Sequence, residues 1–206
     1  MTAPPVCYLS GTIIRTVDGD RKIDDLQIGD LVKTLNGTAR PVKWVGRLSY
    51  SKSHRDWQKK ILPVLITKGA LGDGLPFRNL YVSQAHMLCV DGSLIEARFL
   101  VNGTTIRISD QSLNTSLNYY HVELADHDVI YAEGQPAETL RANYRHREKF
   151  ENFIEYMRLY PNEGRSMPKL WGPVKTPSVF TRLVQAFGLE GKVVNHSKPL
   201  IGEKVD

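Results

Sequence analysis

Side chains able to do chemistry fall in three separated stretches of this chain. The first holds Cys7, in Val6-Cys7-Tyr8-Leu9-Ser10-Gly11-Thr12-Ile13-Ile14. The second holds Ser83 and His86, in Leu80-Tyr81-Val82-Ser83-Gln84-Ala85-His86-Met87-Leu88-Cys89-Val90. The third holds His121 and His127, in Tyr119-Tyr120-His121-Val122-Glu123-Leu124-Ala125-Asp126-His127-Asp128-Val129-Ile130-Tyr131. A cysteine sulfur is a strong nucleophile, a histidine gives or takes a proton near neutral pH, and a serine hydroxyl can orient either. Together these are the parts of covalent acyl-transfer chemistry, provided folding assembles them. Each also has a plainer reading. His86 has the setting of a strand histidine buried and satisfied by a backbone carbonyl. Asp126-His127-Asp128 reads as a hairpin turn. Cys89 lies in an apolar run and reads as a small buried hydrophobe.

The elements that must position these groups are short and β-rich. Thr12–Val17 and Arg21–Ile23 flank Asp18-Gly19-Asp20, and Leu31–Leu35 and Ala39–Val45 flank Asn36-Gly37. Both dipeptides, Asp-Gly and Asn-Gly, are strong hairpin signals between strand-forming runs. Pro41 lacks an amide hydrogen and moves the second strand of its pair to an edge, or delays its start. Ser49–Lys60 is polar and basic and reads as an excursion loop carrying His54 and Trp57. Lys68–Arg78 holds three glycines and a proline and reads as a loop, but no Gly-Lys-Ser/Thr closes it as a phosphate loop would. The pattern after Ala137 changes to helical. Phe150, Phe153, Ile154 and Met157 recur at amphipathic spacing, and Thr176-Pro177 opens a second such run with Phe180, Leu183, Val184 and Phe187.

With 206 residues, 41% of them hydrophobic and 24% charged, the chain has the composition of an ordinary globular protein with a core of its own. The formal charge of +5 comes from the part beginning at Arg141. There Arg141, Arg145, Arg147 and Lys149 lie near Tyr144 and Phe150, a cluster that reads as a solvated helix face rather than a nucleic-acid site. Two cysteines make no disulfide framework, and no Cys/His spacing matches a zinc site, so neither a metal nor another cofactor is expected. Met1-Thr2-Ala3-Pro4-Pro5 lacks the apolar core of a secretion signal and no run is long enough to span a membrane. The default expectation is the cytoplasm, with a secreted context open if the chain belongs to a longer precursor.

The first block, Cys7 followed by Ile23-Asp24-Asp25-Leu26-Gln27-Ile28-Gly29-Asp30-Leu31-Val32, resembles the opening of the Hint (Hedgehog/intein) family. There a cysteine begins the domain and an Ile-Gly-Asp-Leu-Val segment follows. Ser83-Gln84-Ala85-His86 sits where that family carries Thr-x-x-His, keeping the hydroxyl and losing a methyl. The third block resembles the late block that returns the chain to the nucleophile. Ala132-Glu133-Gly134-Gln135-Pro136-Ala137-Glu138-Thr139 resembles the segment that closes bacterial members. The resemblance covers roughly Cys7–Thr139 and implies a mainly β fold, a Hint-like all-β domain of short strands and hairpins, here followed by a short helical extension. It implies Cys7 as nucleophile and Ser83 and His86 as its activating pair, with His127 assisting and His121 the weaker candidate. The implied reaction is an N-to-S acyl shift, in which the Cys7 sulfur attacks the Val6 carbonyl and leaves a thioester. His86 would act as general acid at the amide nitrogen, and hydrogen bonds would steady the developing oxyanion. Cysteine suits the task through a thiolate populated near neutral pH.

Departures from the family narrow the outcome. A splicing intein ends in His-Asn before Cys, Ser or Thr, but Gln135-Pro136-Ala137-Glu138 stands in that region. Asn195-His196-Ser197 is in reversed order and far beyond the third block. Sterol transfer of the Hedgehog type needs an acidic residue, and Pro41-Val42-Lys43 offers none. Cleavage before Cys7 by water, a thiol or an amine is then expected, with the chain's own N-terminal flank as substrate. The division expected is 1–6 as flank, 7–140 as the autoprocessing domain and 141–206 as a basic helical extension. The alternative is a catalytically silent scaffold of the same fold that binds a protein partner through its basic C-terminal helices.

Overall fold

Both dipeptides read as turns are turns, and they build the fold's first two hairpins. β2 (Ile13–Thr16) pairs with β3 (Gly19–Lys22), and β4 (Leu31–Lys33) with β5 (Ala39–Pro41). Gly19 and Gly37 take positive φ, 112° and 84°, which L-residues with a side chain resist. The computed structural model describes residues 4–52, 56–111, 114–140 and 147–163. These form fourteen strands, one short α-helix and two single-turn 3-10 segments. The architecture is mainly β, as the sequence pattern and the resemblance led us to expect.

Preceding these hairpins is β1 (Tyr8–Leu9); following them are β6 (Trp44–Ser51), β7 (Val64–Ile66), β8 (Leu80–Val82), β9 (Met87–Val90), β10 (Ser93–Glu96), β11 (Ile106–Ile108), β12 (Ser116–Glu123), β13 (Val129–Ala132) and β14 (Gln135–Glu138). One sheet has the order β11-β7-β8-β1-β12-β6, and the other runs β10-β9-β14-β13-β2-β4-β5 with β3 beside β2. Alternating apolar residues from both sheets, among them Ile14, Val32, Leu80, Val82, Leu88, Val122 and Ile130, form the main core. Each fully buried Val, Leu or Ile in it contributes about 1.5–3 kcal/mol relative to exposure.

Several sequence readings change here. The run Ala39–Val45 is two strands, and the segment from Ser49 continues β6 instead of starting a loop. The reason is an uninterrupted register of eight residues with β12, from Trp44↔Glu123 to Ser51↔Ser116. Pro41 closes β5, which ends its sheet, so the edge placement holds. His54 lies outside the described residues, whereas Trp57 donates its indole N–H to the Gln111 carbonyl (2.9 Å).

Another change concerns the helix α1 (Phe153–Leu159). Ile154 and Met157, expected on its buried face, are 57% and 45% exposed, and Tyr156 is buried in their place. Trp44 selects that face, meeting Phe150 and Tyr156 edge-on at ring-centroid distances of 5.4 and 5.2 Å. The same segment also seals the edge of β6. Glu151 N–H donates to the Arg47 carbonyl, the Ser49 amide donates to Glu151 Oε1, and the Arg47 amide donates to Asn152 Oδ1. An open strand edge is thereby covered by the chain itself. Arg147, expected in a solvated basic face, is buried and forms two hydrogen bonds to Glu123 (2.6 and 2.9 Å). Lys149 is exposed, while Arg141, Arg145, Tyr144 and the second helical run lie outside the described residues.

Candidate functional site

Strand β1 is two residues long, yet it joins all three chemistry-bearing stretches. It lies between β8 and β12, with Tyr8 opposite Val82 on one side and Tyr120 on the other. Both pairings are antiparallel, so one step back along β1 is one step forward on each neighbour. Cys7 therefore falls level with Ser83 on one flank and His121 on the other. The hydrogen bonds on the Ser83 side follow that alignment. Ser83 N–H donates to the Cys7 carbonyl (2.8 Å), Cys7 N–H donates to Ser83 Oγ (2.9 Å), and the Ser83 hydroxyl donates to the Pro5 carbonyl (2.8 Å). One serine thus grips the backbone on both sides of the Val6–Cys7 bond.

His86 comes from the turn that follows β8. Its backbone N–H donates to the Ser83 carbonyl and its carbonyl accepts from Ala97 N–H (3.0 and 2.8 Å). Its ring packs on Tyr8 and beside His121, with centroids 4.2 and 5.2 Å away. Burial, reinforced by the neighbouring His121, holds the His86 pKa well below the ordinary histidine value, although the backbones of Cys7 and Glu138 pull the other way. His86 is neutral at neutral pH.

Cys7 differs from its expected state. Its side chain has no solvent exposure, and burial pushes the thiol well above its usual range. The thiol is therefore protonated rather than the expected thiolate near neutral pH, and any chemistry at this sulfur needs a base to remove its proton. Cys89 is likewise free and buried, and burial raises its thiol too.

Of the five residues singled out in the sequence, Cys7, Ser83, His86 and His121 meet, all with zero exposure. His127 is set apart from them. It sits in the β12–β13 connection with Nε2 3.3 Å from Glu138 Oε2. Two residues that the motifs do not single out complete the arrangement. Glu138 takes the Met87 amide on Oε1 (2.9 Å) and the Tyr8 hydroxyl on its backbone carbonyl (3.1 Å). Tyr8 carries the ring against which His86 lies. A carboxylate in the closing strand and an aromatic after the cysteine were visible as residues; their roles depend on strand register, which the sequence does not display.

Among the described residues, no group of three or more His, Cys, Asp or Glu side chains is placed to hold a metal ion, and no helix is long and apolar enough to cross a membrane.

A family model described as the Hint domain matches residues 6–143. No curated protein matches the chain. Among solved structures the chain is similar to the gp41-1 intein, at 17% identity and a TM-score of 0.45 over 65% of this chain and 98% of that one. It is similar to a bacterial intein-like domain from Clostridium thermocellum at 14% identity and a TM-score of 0.46, covering 65% and 96%. A DnaB intein from Synechocystis sp. PCC 6803 aligns at 12% identity and a TM-score of 0.44, covering 65% and 99%.

Proposed function

The chain belongs to the Hint domain family, and from that premise we propose that it is an autoprocessing domain that cleaves the peptide bond before Cys7 without splicing. The observation that carries this reading is the grip of Ser83 on the Cys7 amide hydrogen and on the carbonyls of Pro5 and Cys7. It holds the bond to be broken level with the nucleophile and beside the rings of His86 and His121. Holding reacting groups in place removes much of the entropic cost of the step.

In the proposed sequence of events, the Cys7 thiol passes its proton to neutral His86 and the sulfur attacks the Val6 carbonyl carbon. The imidazolium then gives that proton to the Cys7 nitrogen as the C–N bond breaks. A thioester between Val6 and the Cys7 sulfur remains, with a free amine on Cys7, so every proton is accounted for. The depressed proton affinity of His86 makes its imidazolium a strong acid, which suits a leaving nitrogen as unwilling as an amide's. Water or an amine then takes the acyl group and makes the step irreversible, or a thiol takes it by exchange into a new thioester that is later hydrolysed. In this reading residues 7–140 are the processing domain, 1–6 its flank and 141–206 an extension.

The second reading, a silent scaffold that binds a protein partner, is favoured by the complete burial of Cys7 and its raised thiol. Intact mass over a time course at neutral pH separates the two. Accumulation of a species beginning at Cys7 in the wild type, absent in Cys7→Ala, is the expected result. A full-length mass throughout, in the presence and absence of added thiol, would sink the cleavage reading.

A further inference from the structure

The acyl-shift scheme leaves one buried side chain in the centre without a task, the ring of Tyr8. Its surroundings assign one. His86 is fixed at its backbone, but neither ring nitrogen makes a well-formed hydrogen bond, the backbones of Cys7 and Glu138 being its polar neighbours. Histidines that move protons usually owe their ring orientation to a hydrogen bond on the far nitrogen. Here packing takes that part beside those backbone groups, and the Tyr8 ring lies against His86 with centroids 4.2 Å apart and planes at 54°. His121 completes a triangle, 5.2 Å from His86 and 5.8 Å from Tyr8, nearly parallel to the latter at 17°.

Tyr8 is itself held at both ends. Its backbone is locked between β8 and β12, and its hydroxyl donates to the Glu138 carbonyl at 3.1 Å. Glu138 in turn receives the amide of Met87, the residue after His86, and its strand pairs with β9 through Ala137↔Leu88. The wall against the imidazole is therefore anchored to the same strands that carry the imidazole. It is also covalently adjacent to the nucleophile, so Cys7 and the surface that aims His86 move as one unit.

We propose that Tyr8 is a positioning residue of the cleavage centre, whose ring, pinned through its hydroxyl to Glu138, sets the orientation of the His86 imidazole toward the Cys7 backbone. The proposal rests on reading His86 as the proton carrier. It adds a residue that works through another and touches no reacting atom. By shielding His86 from water the ring also contributes to the desolvation that keeps the imidazole neutral.

The test uses the full chain with two substitutions. Tyr8→Leu removes the ring and keeps apolar bulk, and Tyr8→Phe removes only the anchor. Two readouts are taken: the titration of the His86 ring by NMR, and the cleavage rate as a function of pH. In Tyr8→Leu the His86 titration midpoint should rise by about one unit or more, and cleavage at neutral pH should slow by about tenfold or more. Tyr8→Phe should move the His86 ring resonances and slow cleavage by a smaller factor. A folded Tyr8→Leu with an unchanged His86 titration and an unchanged pH profile would overturn the proposal. Should Tyr8→Leu not fold, Tyr8→Phe decides, because unmoved His86 resonances would show that the anchor orients nothing. Absence of cleavage in the wild type sinks the acyl-shift reading alone, since the His86 titration still reports on Tyr8.

Discussion

Replacing Ser83 by alanine removes two hydrogen bonds from a place that water does not reach. The Cys7 amide loses its acceptor at 2.9 Å and the Pro5 carbonyl loses its donor at 2.8 Å. An unpaired buried polar group costs about 1–3 kcal/mol, so two of them should lower stability by about 2–4 kcal/mol. The rate should suffer separately. The Cys7 nitrogen must turn from planar amide to amine as its bond to Val6 breaks, and the serine oxygen fixes the direction of its N–H. Loss of that restraint is expected to raise the barrier by about 1.4–2.8 kcal/mol, a tenfold to hundredfold slowing. Ser83→Thr keeps the hydroxyl but adds a methyl in a fully buried position. It should lose about 1–3 kcal/mol of stability through overpacking while cleaving within a few-fold of wild type. Urea unfolding gives the first quantity, and an intact-mass time course under conditions where each variant is folded gives the second. Wild-type stability and rate in Ser83→Ala would refute the claim that this serine holds the bond.

Three further outcomes follow from the same geometry. His86→Ala should slow appearance of the Cys7-initiated species by about a hundredfold or more, whereas His127→Ala should have a smaller effect, and equal effects would argue against their different placements. Stability should fall on both sides of neutrality. The unfolded chain takes up a proton on His86 near its usual 6.5, which the native state resists, so stability is lost as pH drops below that value. The unfolded thiol of Cys7 ionises near 9.0 while the native thiol does not, so stability is lost as pH rises past it. Urea midpoints at acid, neutral and alkaline pH measure both limbs, and a flat profile would contradict the burial of the pair. Arg147→Ala leaves buried Glu123 with the Lys43 ammonium and the Tyr156 hydroxyl, each 3.5 Å away, and should cost about 3 kcal/mol in the same unfolding assay; wild-type stability would show the ion pair to be dispensable.

The meeting of Cys7, Ser83, His86 and His121 was foreshadowed by their residue types and spacing. A cysteine before a glycine turn and a hydroxyl three residues ahead of a histidine stand out in any β-rich sequence. The hairpins were legible too, since Asp18-Gly19 and Asn36-Gly37 carry their turn geometry locally. Tyr8 and Glu138 were not, because a tyrosine in a strand and a glutamate near a strand end are ordinary. Their importance appears only when β1 is placed between β8 and β12 and β14 beside β9. The helix face was misread for a related reason. Apolar periodicity favours Ile154 and Met157, but Tyr156 offers both an aromatic face to Trp44 and a hydroxyl to Glu163 at 3.2 Å. A half-polar residue can win a buried position when partners for its ring and its polar end are waiting, and Trp44 and Glu123 are brought to it only by the fold.

The state of the carboxyl end released by hydroxylamine tests the central claim most directly. Hydroxylamine attacks thioesters and spares ordinary amides under mild conditions. We expect wild-type protein to release a segment ending in a Val6 hydroxamate and to leave a remainder that begins at Cys7, with neither product from Cys7→Ala. An unbroken wild-type chain in hydroxylamine, or the same products from Cys7→Ala, would contradict a thioester formed by the Cys7 sulfur.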